Sequence, residues 1–121
     1  MEAVFPYIGS KVRMVPHILR CLPPPEKYRV FVDVFGGAAN VTLAVPSRPG
    51  LFKVYNDVDK ELVNFFRVLK DPELREKLLE KLVFTPYSRS LFEDICLSPL
   101  PDDPVDRAWR VYVLNVQSFA G

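Results

Sequence analysis

Histidine and cysteine are scarce in this chain, and that scarcity removes several chemistries at the outset. His17 is the single histidine, so no histidine-based serine or cysteine triad can be argued. It lies on a predicted helix with Lys and Arg nearby and reads as a surface or structural residue. Cys21 and Cys96 are far apart, with no CxxC pair and no Cys/His cluster, which argues against zinc. Both read as reduced, core-type thiols of a cytoplasmic protein. No run of about 20 apolar residues is present, so no transmembrane span is expected. The opening MEAVFPYIGSK lacks the basic-then-apolar order of a signal peptide. A strong charge of one sign is missing too. The formal net charge is +1, without the basic excess that advertises nucleic-acid binding. Lys11, Arg13 and Arg20 read as a solvated helix face, with a phosphate site as the competing reading.

What is present is the material of a core. The chain is 49% hydrophobic and 12% aromatic over 121 residues, enough for one folded domain of ordinary size. Its 12 prolines are dispersed and punctuate elements. Val12, Val15, Leu19 and Leu22 predict a helix over 10–22, with Ser10 as its cap, Pro16 as an internal breaker that allows a kink or later start, and Pro23–Pro25 as its stop. RVFVDVF at 29–35 suits a buried parallel strand. A helix over 38–45 and a strand over 51–56 follow.

Asp59 caps a predicted helix over 60–70, whose apolar face is Leu62, Val63, Phe66 and Leu69. Asp71-Pro72-Glu73 starts another over 72–82, with Leu74, Leu78, Leu79 and Leu82. Residues 84–102 read as less regular, with capping-box spacing at Ser90 and Glu93. Glu93 and Asp94 read as solvated charges. Asp103-Pro104 opens a last helix over 104–118, where Val105, Ala108, Trp109, Tyr112 and Val116 are partly in phase. Trp109, Tyr112 and Phe119 form either a core stripe or a base-stacking set.

The most informative stretch is FVDVFGGAANVTLAV at 31–45, followed by VYNDVDKEL at 54–62. Each of two apolar strands ends on an acid, Asp33 and Asp57. Gly36 and Gly37 turn the chain into a helix of small residues, where backbone can approach a ligand because no Cβ intervenes. The bland alternative for Asp33 is an acid capping the next turn. The spacing from Asp33 to Asp57 is what one short helix and one strand take, and it resembles the acid placed about 20 residues past the glycines of dinucleotide-binding folds. The glycine run is GGAAN rather than GxGxxG, which tilts the reading from NAD toward a nucleoside cofactor without phosphates. Strand–helix–strand order implies parallel strands, and two such strands alone leave a sheet that natural folds cover.

Four blocks in order, PYIGSKVRMVPHILRCLP, YRVFVDVFGGAANVTL, VYNDVDKELVNFFRVLKD and AWRVYVLNVQSFAG, resemble the N-terminal half of Dam-type DNA adenine methyltransferases. These use S-adenosylmethionine (SAM) to methylate the exocyclic amino group of adenine. The resemblance covers nearly the whole chain. It implies an α/β, partial Rossmann-like SAM-dependent methyltransferase fold with two parallel strands and a following helical segment. By it, Tyr7, Ile8, Gly9 and Lys11 match the N-terminal cofactor block, where an aromatic or apolar residue and a lysine line the methionine end. Asp33, Phe35, Gly36 and Gly37 fall in the block after the first strand. Asp57 matches the acid that binds the ribose hydroxyls, and Val58 flanks the adenine ring. The chemistry agrees, since a ribose diol, an ammonium and a sulfonium all favour nearby carboxylates.

The chain departs from the family pattern at several positions. Tyr7 stands near the usual tryptophan, Val34 replaces a proline and Ala39 replaces the second glycine. QSFAG stands where an aromatic followed by Asn-Gly is usual. The DPPY-type motif, whose acid or amide and carbonyl accept from the target amino group while its aromatic stacks on the flipped base, does not occur in these residues. The resemblance therefore implies an N-terminal fragment: a SAM-binding portion over 1–82, then a helical segment over 83–121 leading into the target-recognition region. DNA is the partner of the full-length enzyme, and the chain alone is expected to be inactive. The alternative is a non-catalytic SAM- or nucleoside-binding module that self-associates or pairs with another chain carrying the missing strands. A downstream (D/N)PP(Y/F) motif in the reading frame favours the first, and a stop codon directly after Gly121 the second. An NAD-linked oxidoreductase fragment, resting only on the strand-end acids and glycines, is a third reading.

Overall fold

In the computed structural model, which describes residues 2–118, Val30–Asp33 (β1) and Phe52–Tyr55 (β2) pair as parallel strands. Val30 lies beside Phe52, Phe31 beside Lys53, Val32 beside Val54 and Asp33 beside Tyr55. The ladder continues past the strands: Asn56 N donates to Asp33 O and Gly36 N to Asn56 O, both at 2.9 Å. These bonds bring the ends of both strands to the glycine turn. Strand and helix alternate here as the α/β expectation requires.

The chain divides into two units, Met1–Val58 and Asp59–Gly121. The first holds both strands, helix α1 (Val15–Cys21), a single 3-10 turn at Pro25–Lys27 and helix α2 (Asn40–Ala44). Phe5, Val15, Ala38, Ala39 and Val45 are buried there. Helix α1 begins later than its apolar spacing predicts because Pro16 sits in its first turn, where a missing N–H does no harm. Residues 7–14 are turns instead, with Ser10 N donating to Tyr7 O and Met14 N to Lys11 O. Ser10 is therefore not a cap. The N-cap is Met14, with no side-chain hydrogen bond.

Helix α2 is likewise shorter than predicted, since Gly37 and Ala39 both take positive φ before it. Lys53, a cation in an apolar strand, caps its far end, donating to Thr42 O at 3.1 Å and Val45 O at 2.9 Å. One correction concerns β1. Its apolar run reads as buried, yet Val30, Val32 and Val34 are about half exposed, as is Val54 of β2, and Phe52 is more exposed still. Side chains alternate across a strand, and the pairing places these residues side by side on one sheet face.

The second unit holds α3 (Lys60–Lys70), α4 (Pro72–Val83), α5 (Arg89–Leu97) and α6 (Pro104–Gln117). The predicted acid caps form: Asp59 accepts from Glu61 N, Asp71 from Glu73 N and Leu74 N, and Asp103 from Val105 N and Asp106 N. Residues 89–97, read as less regular, are helical, and the cap is Ser88 rather than Ser90. Buried Leu62, Phe65, Val68, Leu78, Val111 and Val113 show that the helices bury a wider stripe than the periodicity picked out, while Leu79 is half exposed.

Cys21 and Cys96 are free thiols but exposed, not core residues. Trp109 donates its indole N–H to Thr85 Oγ1 at 2.7 Å, and the Tyr112 ring stacks on Phe65. Both thus serve the packing of this unit, and Phe119 lies outside the described residues. Among the described residues no helix is long and apolar enough to cross a membrane.

Candidate functional site

Three segments of the first unit converge on one cleft of about 170 Å³. The loop before α1 supplies Tyr7, Ile8, Gly9, Ser10 and Lys11. The end of β1 and the turn after it supply Asp33, Phe35, Gly36, Gly37 and Ala38. Asn40 and Val41 come from α2, and Asp57 from just beyond β2. A parallel strand pair delivers its C-terminal ends to the same edge, which is where open α/β sheets place their ligands.

The turn is held by its own polar groups. Gly37 N donates to Asp57 Oδ2 at 2.9 Å, and Tyr55 donates its hydroxyl to Gly37 O at 2.7 Å. Both backbone polar groups of Gly37 are thereby tied to the end of the second strand and the residues just beyond it. Thr42 donates its hydroxyl to Asp33 Oδ2 at 2.8 Å, which fixes the first acid from the helix that follows it. Asn40 Nδ2 donates to Ser10 Oγ at 2.7 Å and ties α2 to the N-terminal loop. Tyr7 meets buried Phe5 edge-on, with ring centroids 6.2 Å apart.

The glycines act differently from one another. Gly37 has φ +51, a conformation costly for any other residue. Gly36 has no such φ, but a Cβ on it would lie 2.2 Å from the Tyr55 ring. The space it keeps open belongs to a side chain of this chain rather than to a ligand. Ala39, where the resemblance expects glycine, has φ 57 and ψ 20 and is buried. The backbone keeps a glycine-like conformation without a glycine.

Of the residues singled out from sequence, Tyr7, Ile8, Gly9, Lys11, Asp33, Phe35, Gly36, Gly37 and Asp57 all line this cleft. Val58 does not, and it is 95% exposed. Ser10, Ala38, Asn40 and Val41 line the cleft but were not among the sequence candidates. Asn40 carried a signal: it is a polar residue in a run of small ones, and it is buried to 3% exposure. Ser10 was masked by its plausible role as a helix cap.

Chemically, the cleft offers two carboxylates, one ammonium group and two aromatic rings. Such a set can receive hydroxyl and ammonium donors, a carboxylate and a flat heterocycle.

Similarity to known proteins identifies the family. Residues 7–94 match the family model of the D12 class N6 adenine-specific DNA methyltransferases. The chain is 32% identical to the type II methyltransferase M1.LlaDCHI of Lactococcus lactis subsp. cremoris, over 91% of this chain and 39% of that protein. It is 30% identical to the modification methylase StsI of Streptococcus sanguinis, over 63% of this chain and 11% of that protein. The chain thus spans well under half the length of these curated relatives. The family match takes in the loop, both strand-end acids and the glycine turn, and by it this chain belongs to the D12 class N6 adenine-specific DNA methyltransferases.

Proposed function

We propose that this chain carries the SAM-binding part of a cytoplasmic enzyme that methylates the exocyclic amino group of adenine in DNA. The observation that carries the reading is the convergence on one cleft of three separate sequence blocks: the loop at 7–11, the Asp33–Gly37 turn and Asp57. When bound, the cofactor supplies a methyl group on a positively charged sulfur. The residues of this chain bind and orient it. Asp57 accepts from the ribose hydroxyls, and its bond from Gly37 N keeps the carboxylate at the turn. Lys11 attracts the carboxylate of the amino-acid end, and Tyr7 and Phe35 offer ring faces. Asp33, held by Thr42, adds negative potential where the cofactor is cationic. Residues 1–82 form the cofactor portion, and residues 83–121 lead toward the part that reads DNA. Base chemistry belongs to a DPPY-type motif, which these residues lack.

One observation favours a second reading, a binding module completed by another chain. The sheet face of Val30, Val32, Val34, Phe52 and Val54 is open, and parallel sheets are normally covered on both faces. A second copy, or strands from the remainder of an enzyme as long as the relatives, would cover it.

Equilibrium dialysis against labelled SAM and against NADH, run beside sedimentation of the same samples, tests both readings. Retention of SAM but not NADH by the monomer, without methyl transfer to adenine-containing DNA, is the expected result. Retention of SAM only in a sedimenting dimer supports the second reading. Retention of NADH alone overturns both.

A further inference from the structure

Asn40 opens α2, lines the cleft and is 3% exposed. A buried asparagine normally has both ends of its amide satisfied. Here Nδ2 donates to Ser10 Oγ at 2.7 Å, whereas Oδ1 is buried and has no hydrogen-bond partner. An unmade bond to a buried acceptor is destabilising, so its presence in a cleft wall calls for a donor that arrives with a ligand.

The surroundings say which donor. Ser10, to which the amide is tied, adjoins Lys11, the one cation among the lining residues, and Asp33 lines the same cleft. A ligand that brings a carboxylate to Lys11 and a donor to a neighbouring acceptor carries an amino-acid zwitterion. We propose that Asn40 is a cofactor-positioning residue whose Oδ1 accepts a hydrogen bond from the α-ammonium of the cofactor's amino-acid end. This rests on the reading of the cleft as a SAM site. A small adjustment about the soft χ2 torsion of asparagine, within the tolerance of the Nδ2–Ser10 bond, brings the oxygen toward the cleft. The device is neutral, so it sets direction where the acids Asp33 and Asp57 set charge. The opposite placement of the amide would present a donor, which would suit the carboxylate instead, and the two cases respond oppositely to added negative charge.

The test is calorimetric titration of the full chain, wild type, Asn40→Ala and Asn40→Asp, with two probes. S-adenosylhomocysteine has the amino-acid end. Methylthioadenosine keeps the adenosine and the sulfur but lacks that end. Asn40→Ala is expected to weaken S-adenosylhomocysteine about ten- to hundredfold, the range of a hydrogen bond to a charged group, and to leave methylthioadenosine unchanged. Asn40→Asp retains an acceptor and is expected to hold S-adenosylhomocysteine at least as tightly as wild type. Should Asn40→Ala fail to fold, the aspartate variant decides alone. Equal loss of both probes, no loss of either, or weakened S-adenosylhomocysteine binding by Asn40→Asp overturns the proposal while the wild-type titration upholds the site. Absence of S-adenosylhomocysteine binding by the wild type overturns the site reading and the proposal with it.

Discussion

At Gly36 the constraint is space. A Cβ there would lie 2.2 Å from Tyr55 Cε2, so the ring would have to move and its hydroxyl would leave Gly37 O. At Gly37 the constraint is conformation, with φ +51, and a Cβ would also press on the Tyr7 ring at 3.3 Å. Gly36→Ala should cost about 1–3 kcal/mol through overpacking, and Gly37→Ala at least about 1 kcal/mol through its left-handed backbone. Ala39→Gly is the informative contrast. Relief of about 1–2 kcal/mol of strain is offset by a lost buried methyl, about 0.8 kcal/mol, and by a looser unfolded chain, about 0.4–1 kcal/mol. That substitution should leave the denaturation midpoint nearly unmoved, which a urea titration of the three variants would check. At this scale the sequence showed which residues matter but not why. The need for glycine at 36 was legible, while its cause, a tyrosine on the next strand, depends on a strand register that no local pattern reveals.

Element boundaries were legible wherever the start signal is covalently local. Asp59, Asp71-Pro72 and Asp103-Pro104 cap their helices as their residue types dictate. The start of α5 was not legible, because Ser90 and Glu93 imitate a capping box. Ser88 N is held by Gln117 Oε1 at 3.3 Å, and Ser88 Oγ accepts from Leu91 N. A partner 29 residues away thus fixes which serine caps. Glu93 pairs with Arg89 along the helix instead.

Between helices, Glu61 on α3 meets Arg107 on α6 through two guanidinium nitrogens. The hydrogen bond from Arg107 holds the Glu61 carboxyl below its ordinary value of 4.5 against the opposing effect of burial, and the charges of Arg107 and Arg110 add to it. A carboxylate whose folded pKa is depressed stabilises fully above its unfolded pKa. That contribution is lost as the pH falls through the folded value. Wild type should therefore lose more stability than Glu61→Gln between about pH 6 and about pH 3, with the two converging at the acid end. Chemical denaturation at a series of pH values measures this directly, and parallel curves would count against a role for the pair.

For the whole molecule, the α/β order and the parallel pairing were legible from two apolar runs, each ending in an acid and separated by a glycine turn. The exposure of Val30, Val32 and Val34 was not. A run apolar at most positions reads as buried on both faces, and sequence does not distinguish a face that is covered from one that awaits covering. The cleft, in contrast, draws only on the first unit: its loop, its turn and its strand ends. The account's central claim is that this cleft binds the cofactor with Asp57 on the ribose. The decisive measurement is calorimetric titration of S-adenosylhomocysteine into the wild-type chain and Asp57→Asn. Asparagine keeps one acceptor for Gly37 N but loses the charge and the second acceptor that a diol requires. Saturable wild-type binding, weakened about tenfold or more in the variant, is the predicted result. Equal binding by both, or none by a cooperatively folded wild type, would contradict it.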